Sequence, residues 1–195
     1  MKRKILITTV AFSIMILCNL IFSNHNAKAY YETDSNGIQW YYDVTSNEAR
    51  NVRLYSGSYG TTLTIPNTLG GYPVTSIGPS SSNSYGIFSS SSNTSNRSKV
   101  NTVVIPNTVK SIGYYTFAYM YGLESIELPD SLEEIGIDAF YNCQKLKTIN
   151  FPSNLKSIKN YAFGYAGLEG SLNLPSNLQE IGNYAFYYCT KLTGN

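Results

Sequence analysis

Apolar residues recur every 23 positions through the second half of this chain. Three columns keep the period, one each of prolines, isoleucines and phenylalanines: Pro106, Pro129, Pro152 and Pro175; Ile112, Ile135, Ile158 and Ile181; Phe117, Phe140, Phe163 and Phe186. An apolar repeat of about 20–29 residues is typical of a solenoid, in which each repeat forms one coil stacked on the next. Because stacked coils present long regular surfaces rather than a cleft, the pattern favours a binding protein over an enzyme.

Within one repeat, the first apolar positions predict a short β-strand. Ile126 and Leu128 alternate with polar residues, which is the period of a strand buried on one face. Pro129 has no backbone N–H to donate to a neighbouring strand, so the strand ends there. The other apolar positions of the repeat are expected to fill a core that closes only when coils stack: Leu132, Ile135, Ala139 and Phe140.

The period divides the chain after residue 60 into about five coils. We predict a first repeat over 61–99 and four 23-residue repeats over 100–195, the last ending abruptly without the polar cap that solenoids usually carry. Residues 79–99 hold ten serines and three asparagines, a composition typical of a loop inserted into the first repeat. Within this loop, Gly-Ile-Phe at 86–88 is predicted to replace the Ala-Phe pair.

One repeat departs from the common spacing. Leu168 stands one position ahead of the place that the 23-residue period gives to a leucine, so one residue is missing before the strand. Gly170 is an extra residue, and the period is restored by Leu172. We expect a local shift in this coil and a common register in the next.

The segment 30–60 precedes the repeats and predicts a β-hairpin cap. Residues 38–42 and 52–55 are aromatic or β-branched runs on either side of a polar turn at 45–48. Trp40 is expected to pack inside this cap. A sugar-stacking platform is the functional alternative for its ring.

The first 29 residues predict a secretory signal peptide. Three basic residues precede a mostly apolar run over 5–22, and Ala-Lys-Ala at 27–29 supplies a cleavage site after Ala29. A retained membrane anchor is the alternative, but the Thr, Ser and Asn residues within the run favour cleavage, which leaves no stable membrane span. Removal of the leader leaves 10 Lys+Arg against 12 Asp+Glu, so no basic surface for nucleic acid is predicted.

The repeat unit resembles a known family. The pattern L-x-x-I-x-L-P…L-x-x-I-G…A-F…C…L occurs four times from Val100 to Leu192, and residues 63–78 resemble an opening repeat with its Gly-Gly-Tyr-Pro insertion. This is similar to the BspA-like, or Treponema-type, leucine-rich repeat. The resemblance implies a leucine-rich repeat solenoid, mainly β, with a parallel sheet on the concave side, in a secreted or surface-exposed bacterial protein. It also implies a role in adhesion to host proteins or other cells.

The cysteines predict buried thiols rather than a disulfide. Cys143 and Cys189 remain after removal of the leader and lie 46 residues, or two coils, apart. Coils stack at about 4.8 Å, which separates the two by roughly 10 Å, whereas a disulfide needs Cα atoms within about 7 Å. The column also holds Met120 and Ala166, so it is expected to face the core.

Few residues suit catalysis, and no catalytic residue, metal site or cofactor is predicted. The only histidine, His25, lies in the leader, which removes Ser-His-Asp and Cys-His systems and most zinc sites. One coil is acidic and leaves a glycosidase or a calcium site as alternatives: Glu124, Glu127, Asp130, Glu133, Glu134 and Asp138. We favour ion pairs between coils, Glu133 with Lys110 and Lys156, and Glu124 with Lys147.

Two surfaces are candidates for ligand binding. The outward positions of the predicted strands are small or polar and include Ser125, Glu127, Thr148, Asn150, Ser171 and Asn173. The second surface is aromatic, because several of the chain's 18 tyrosines fall in periodic columns that include Tyr119, Tyr165 and Tyr188, and Tyr141 and Tyr187. Tyrosine is enriched where proteins bind partners. The alternative is that these rings stack between coils and merely cover the core.

We therefore expect a secreted or surface-exposed bacterial protein that binds extracellular proteins or glycans of a host or neighbouring cell, as an adhesin does. A structural or regulatory module, or a shortened relic of a longer surface protein, is the first alternative. A carboxylate-based hydrolase acting through the acidic coil is the second.

Overall fold

The structure, a computed structural model, describes residues 28–57, 60–80, 86–87 and 97–193. The predicted signal peptide lies outside the described residues except for its last two positions. Most of the serine-rich insertion, including Phe88, and the abrupt end at Asn195 also lie outside them.

The described residues form a mainly-β solenoid of about five turns, without a helix, which confirms the predicted fold class. None of them builds a helix of the length and apolarity that a membrane crossing needs. The strands are β1 Lys28–Thr33, β2 Gln39–Thr45, β3 Glu48–Ser56, β4 Thr62–Thr64, β5 Thr68–Leu69, β6 Tyr72–Pro73, β7 Ser76–Ile77, β8 Thr102–Val104, β9 Ser111–Ile112, β10 Ser125–Glu127, β11 Glu134–Ile135, β12 Ser157–Ile158, β13 Glu169–Gly170, β14 Glu180–Ile181 and β15 Lys191–Leu192.

The longest sheet runs through the isoleucine column of the repeats. It has eight strands in the order β1-β2-β3-β7-β9-β11-β12-β14, and its repeat strands pair in parallel. The strand predicted at Ile126 exists as β10, but this column forms a sheet only of β4, β8 and β10. The second apolar pair carries the longer ladder, because the residue after the isoleucine continues it: Gly136 N–H donates to Ile112 O at 2.7 Å, and Lys159 N–H donates to Ile135 O at 2.9 Å.

The N-terminal cap is a three-stranded antiparallel unit. The predicted hairpin is present as β2 and β3, joined by Ser46 and Asn47, whose φ values of 53° and 60° suit a tight two-residue turn. β1 adds a third strand that begins at Lys28, and β3 joins the solenoid by pairing in parallel with β7. Trp40 is fully buried and its Nε1 donates to Asp34 Oδ2 at 2.9 Å, so the sugar-platform alternative is wrong.

A stack of phenylalanine rings forms the centre of the core. Ring centroids are 5.3 Å apart between Phe117 and Phe140, 5.0 Å between Phe140 and Phe163, and 5.4 Å between Phe163 and Phe186. Buried Ile87 holds the equivalent position in the first coil. Its N–H donates to Thr116 O at 2.8 Å, as Phe117 N–H donates to Ala139 O at 2.8 Å, so the predicted replacement is confirmed for Ile87, the part of it that the structure describes.

Both cysteines are buried and free, as predicted. Cys143 Sγ donates to Phe117 O and Cys189 Sγ to Phe163 O, each at 3.1 Å. Burial raises the pKa of the Cys143 thiol to about 12 and that of Cys189 to about 11. The thiols therefore stay protonated and act as core side chains.

The irregular coil contains the predicted one-residue shift. β13 pairs with β15 at an offset of 22 residues, Glu169 with Lys191, whereas β12 pairs with β14 at 23. Gly170 takes up the difference with a φ of 74°, in the left-handed region that favours glycine.

Replacing Phe140 by alanine is expected to lower the free energy of unfolding by about 3–5 kcal/mol, because its buried ring contacts a phenylalanine on both sides. Phe186→Ala is the matched control: Phe186 is only partly buried and stacks in this column on Phe163 alone. Urea titration followed by circular dichroism measures both losses. Equal losses at the two positions contradict a core built on this stack.

Candidate functional site

Each of the four 23-residue coils turns through two residues with a left-handed backbone, four positions apart. Their φ values lie between 52° and 61°, and six of the eight are tyrosines: Tyr115, Asp138, Tyr161 and Tyr184 at the first position; Tyr119, Asn142, Tyr165 and Tyr188 at the second. Asp and Asn adopt this conformation most readily among residues other than glycine. For other L-residues it costs roughly 1–2 kcal/mol, so backbone preference does not explain tyrosine here.

Hydrogen bonds to the next coil hold these turns in place. Tyr115 N–H donates to Ile137 O at 3.0 Å, and Tyr119 N–H donates to Tyr141 O at 2.8 Å. Asp138, Asn142, Tyr161 and Tyr165 repeat the same 22-residue step. The turns therefore present their side chains in fixed positions, one above the other along the solenoid.

The tyrosines form a continuous aromatic row, which we call the tyrosine ladder: Tyr115, Tyr119, Tyr141, Tyr161, Tyr165, Tyr184, Tyr187 and Tyr188. Rings of successive coils touch, with centroids 5.4 Å apart for Tyr141 and Tyr165 and 5.0 Å for Tyr161 and Tyr184. Several rings also remain accessible, from 36% exposed at Tyr165 to 65% at Tyr188. The row therefore both stacks between coils and offers a surface.

The ladder lines an open groove with a volume of about 530 Å³. Four of the predicted tyrosines line it directly: Tyr119, Tyr141, Tyr165 and Tyr187. The fifth, Tyr188, lies beside the groove, with its ring 5.2 Å from that of Tyr165. Tyr115, Tyr161 and Tyr184 complete the aromatic lining. This volume lies in the range of sites that bind small ligands or side chains.

Asp138 also lines this groove, although the sequence predicted it only as part of the acidic coil. It is 8% exposed and lines the groove. Burial raises the pKa of its carboxyl to about 6. Burial, followed by the Asp138 charge, also raises the pKa of Tyr115. The 23-residue period could have identified Asp138 as a groove residue, since it stands in the same column as Tyr115, Tyr161 and Tyr184.

Three other carboxylates of the acidic coil are paired with lysines on the next coil. Glu133 contacts Lys156 at 2.5 Å, as predicted, and this hydrogen bond is the main cause that lowers the pKa of Glu133. Glu134 lies 4.0 Å from Lys159, which also holds Glu180.

Two predicted pairings are different in the structure. Glu124 pairs with Lys145 at 3.1 Å instead of Lys147, which contacts Glu169 on the shifted strand β13. Lys110 lies 3.7 Å from Glu48 of the cap. Among the described residues, no three His, Cys, Asp or Glu side chains are placed to hold a metal ion.

The outward polar positions of the strands predicted from the sequence, here called the polar strand surface, are separate from the groove. Its predicted residues are exposed, and none of them lines the groove: Ser125, Glu127, Thr148, Asn150, Ser171 and Asn173. Thr102 Oγ1 and Ser125 Oγ lie 3.3 Å apart, so neighbouring hydroxyls on this surface hydrogen bond to one another. The two candidate binding surfaces predicted from the sequence are therefore two distinct faces of the protein.

Comparison with known proteins places the repeats in one sequence family. The family described as a BspA type leucine rich repeat region (6 copies) matches residues 88–194. No curated protein matches the chain.

Solved structures share both fold and sequence with this chain. A leucine-rich repeat protein from Bacteroides ovatus ATCC 8483 is 29% identical with a TM-score of 0.59, over 88% of this chain and 40% of that one. The T. pallidum leucine rich repeat protein is 28% identical with a TM-score of 0.62, over 85% and 66%. The pneumococcal vaccine antigen PcpA is 26% identical with a TM-score of 0.53, over 84% and 48%. The chain thus spans 40–66% of the length of these proteins.

Asp138→Asn is expected to stabilise the fold at neutral pH. The raised pKa means that the folded carboxyl holds its proton more tightly than the unfolded one. Its contribution to stability is therefore present below about pH 4 and is lost as the pH rises through about 6. After allowance for solvent in the open groove, the variant should gain about 1–2 kcal/mol at pH 7 and little at pH 4.

Urea titrations of both proteins at pH 4, 5, 6 and 7 measure this difference. Asparagine suits the left-handed backbone, as Asn142 shows one turn position later. Asp130→Asn, at an exposed carboxylate, is the matched control and should change stability little at any pH. A gain at Asp138 that does not depend on pH would contradict a buried carboxylate in the groove.

Proposed function

Since this chain belongs to the BspA-type leucine-rich repeat family, we propose that it is a secreted or cell-surface protein that binds extracellular proteins or glycans of a host or neighbouring cell. It acts by adhesion and not by catalysis. Two observations support this role: the family of the repeats and the likeness of the chain to a pneumococcal vaccine antigen.

The observation that carries the proposal is the tyrosine ladder along an open groove. Six tyrosines occupy left-handed positions that Asn or Asp would hold with less strain. Strained residues concentrate at functional sites, where a side chain is needed in a particular place. Tyrosine offers a large contact area with few rotatable bonds, which suits the recognition of a partner.

The polar strand surface supports a second contact area on the same protein. Exposed hydroxyl and amide groups such as Ser125, Asn150 and Asn173 offer donors and acceptors along several coils. They lack large apolar groups, and interface energy is concentrated in residues such as Tyr, Trp and Arg. We therefore place the main binding energy in the groove.

The hydrolase alternative has less support. A glycosidase ordinarily needs two carboxyl groups that flank the scissile bond. Asp138 is the single carboxyl among the described residues that line the groove, and Glu133 and Glu134 are paired with lysines. The main alternative to adhesion is a structural or regulatory module, or a shortened relic of a longer surface protein. The binding test below distinguishes this alternative from adhesion.

Binding is expected to be lost when the second left-handed position is changed in three coils at once, Tyr119→Asn, Tyr165→Asn and Tyr188→Asn. Asparagine keeps the backbone, as at Asn142. Arrays of extracellular-matrix proteins and glycans probed with the native protein identify the ligand. The triple variant should then bind it at least about tenfold more weakly, since a buried aromatic contact contributes about 1–2 kcal/mol.

Ser125→Ala, Asn150→Ala and Asn173→Ala together are the matched control on the polar strand surface. This variant should retain most of the binding. Loss in the control alone would move the site to that surface. A folded native protein that binds nothing on the arrays would favour the structural or relic alternative.

Secretion gives a further expectation, that the mature protein begins at Tyr30. Cleavage there leaves Tyr30–Thr33 of β1 able to pair with β2. Intact mass of the exported protein measures the new N-terminus. A mass that retains the first 29 residues would favour the membrane-anchor alternative.

A further inference from the structure

Asp138 is an uncompensated charge in an aromatic setting. Among the described residues that line the groove it alone is charged, and the other seven are tyrosines. Its carboxylate forms no hydrogen bond or ion pair within the described part of the chain, while Glu124, Glu133 and Glu134 each have a lysine. A buried carboxylate without a partner is costly to the fold.

We propose that this groove takes up a basic side chain of a protein partner, a lysine ammonium or arginine guanidinium group, held between tyrosine rings and beside Asp138. The inference rests on the proposed function, because it names the chemistry of the partner for the same groove. The partner supplies the counterion that the fold leaves out.

Two features of the groove favour a cation over an anion or a neutral group. The carboxylate attracts positive charge directly, and it does so strongly where the surroundings exclude water. The faces of tyrosine rings carry a negative quadrupole, which attracts ammonium and guanidinium groups within about 6 Å. Phosphorylated or acidic ligands would meet repulsion from both. Neutral sugars could use the rings but would leave the charge of Asp138 without a counterion.

The same chemistry already occurs once within this protein. Arg53 Cζ lies 4.5 Å from the ring centroid of Tyr41 in the cap. Both residues are half-buried and face each other across the paired strands β2 and β3. It shows that a guanidinium group packs on a tyrosine face in this fold.

The dimensions of the groove suit a short extended peptide. Its first turn position runs over four coils, Tyr115, Asp138, Tyr161 and Tyr184. Four coils at about 4.8 Å span roughly 14 Å, which is the length of about four extended residues. Asp138 lies in the second of these coils, so one basic side chain near the middle of such a peptide reaches it.

Capped hexapeptides with a single central lysine test the proposal directly. The matched set carries arginine, acetyl-lysine or glutamate at the same place, and titration of tyrosine ring resonances by NMR reports binding in the groove. The lysine and arginine peptides should bind saturably. Acetylation removes the charge but keeps the aliphatic stem of lysine, so it should weaken binding at least about tenfold. The glutamate peptide should not bind.

Asp138→Asn should weaken binding of the lysine peptide at least about tenfold, while Asp130→Asn leaves it unchanged. Binding by the native protein should fall roughly tenfold between pH 7.5 and pH 5, since about a tenth of the carboxyl groups stay ionised one unit below the pKa of about 6. The groups beside Asp138 in the groove are tyrosine phenols, among them Tyr115 and Tyr141. Binding by the asparagine variant should not depend on pH in this range.

Several outcomes would overturn the inference. These are equal binding of the lysine and acetyl-lysine peptides, binding that survives Asp138→Asn, absence of binding by every basic peptide, or tighter binding of neutral oligosaccharides to the same rings. The proposed function fails separately. A ligand from the arrays that is lost in the triple tyrosine variant but unaffected by Asp138→Asn would sink the inference and leave the adhesive function standing.

Discussion

Backbone hydrogen bonding from each coil to the next is the constraint on which the rest of this structure depends. Gly136 N–H donates to Ile112 O on one face, and Phe140 N–H donates to Ala162 O on another, so each coil is fixed at several points around its circumference. Because the step is nearly constant, equivalent side chains stand directly above one another. The phenylalanine stack, the tyrosine ladder and the lysine–glutamate pairs are all consequences of that step.

The residues of the aromatic groove lower the stability of the fold. Left-handed tyrosines and an unpaired buried aspartate each lower stability by an amount on the order of 1 kcal/mol or more. Ring contacts between coils offset part of this, since an aromatic pair contributes about 0.5–1.5 kcal/mol. The core below offsets the rest of this loss of stability, with Phe140 and Phe163 stacked at an interplanar angle of 2°. A rigid core thus supports a groove that is not itself optimised for stability.

Carboxylates of the acidic coil have two different physical roles. Glu133 with Lys156 and Glu124 with Lys145 are solvent-exposed pairs between coils. Such pairs contribute about 0–1 kcal/mol each and are weakened by salt. Asp138 belongs to the same acidic coil, but it is buried against tyrosines and lacks a lysine. The contrast shows that position around the coil, rather than composition of the coil, decides what a carboxylate does.

Periodicity alone determined the solenoid, the number of coils, the inward columns and the fate of the cysteines. These features follow from residues at equivalent positions of one repeated unit, so a one-dimensional period is sufficient to place them. The period even located the shift at Gly170, because a missing and an added residue are visible in the spacing. Only the tertiary structure decided which apolar pair carries the longest ladder, that β1 joins the cap, and that Glu124 pairs with Lys145. It also decided the environment of Asp138. Those outcomes depend on how side chains from different columns meet around the coil, and a period along the chain contains no distance between columns.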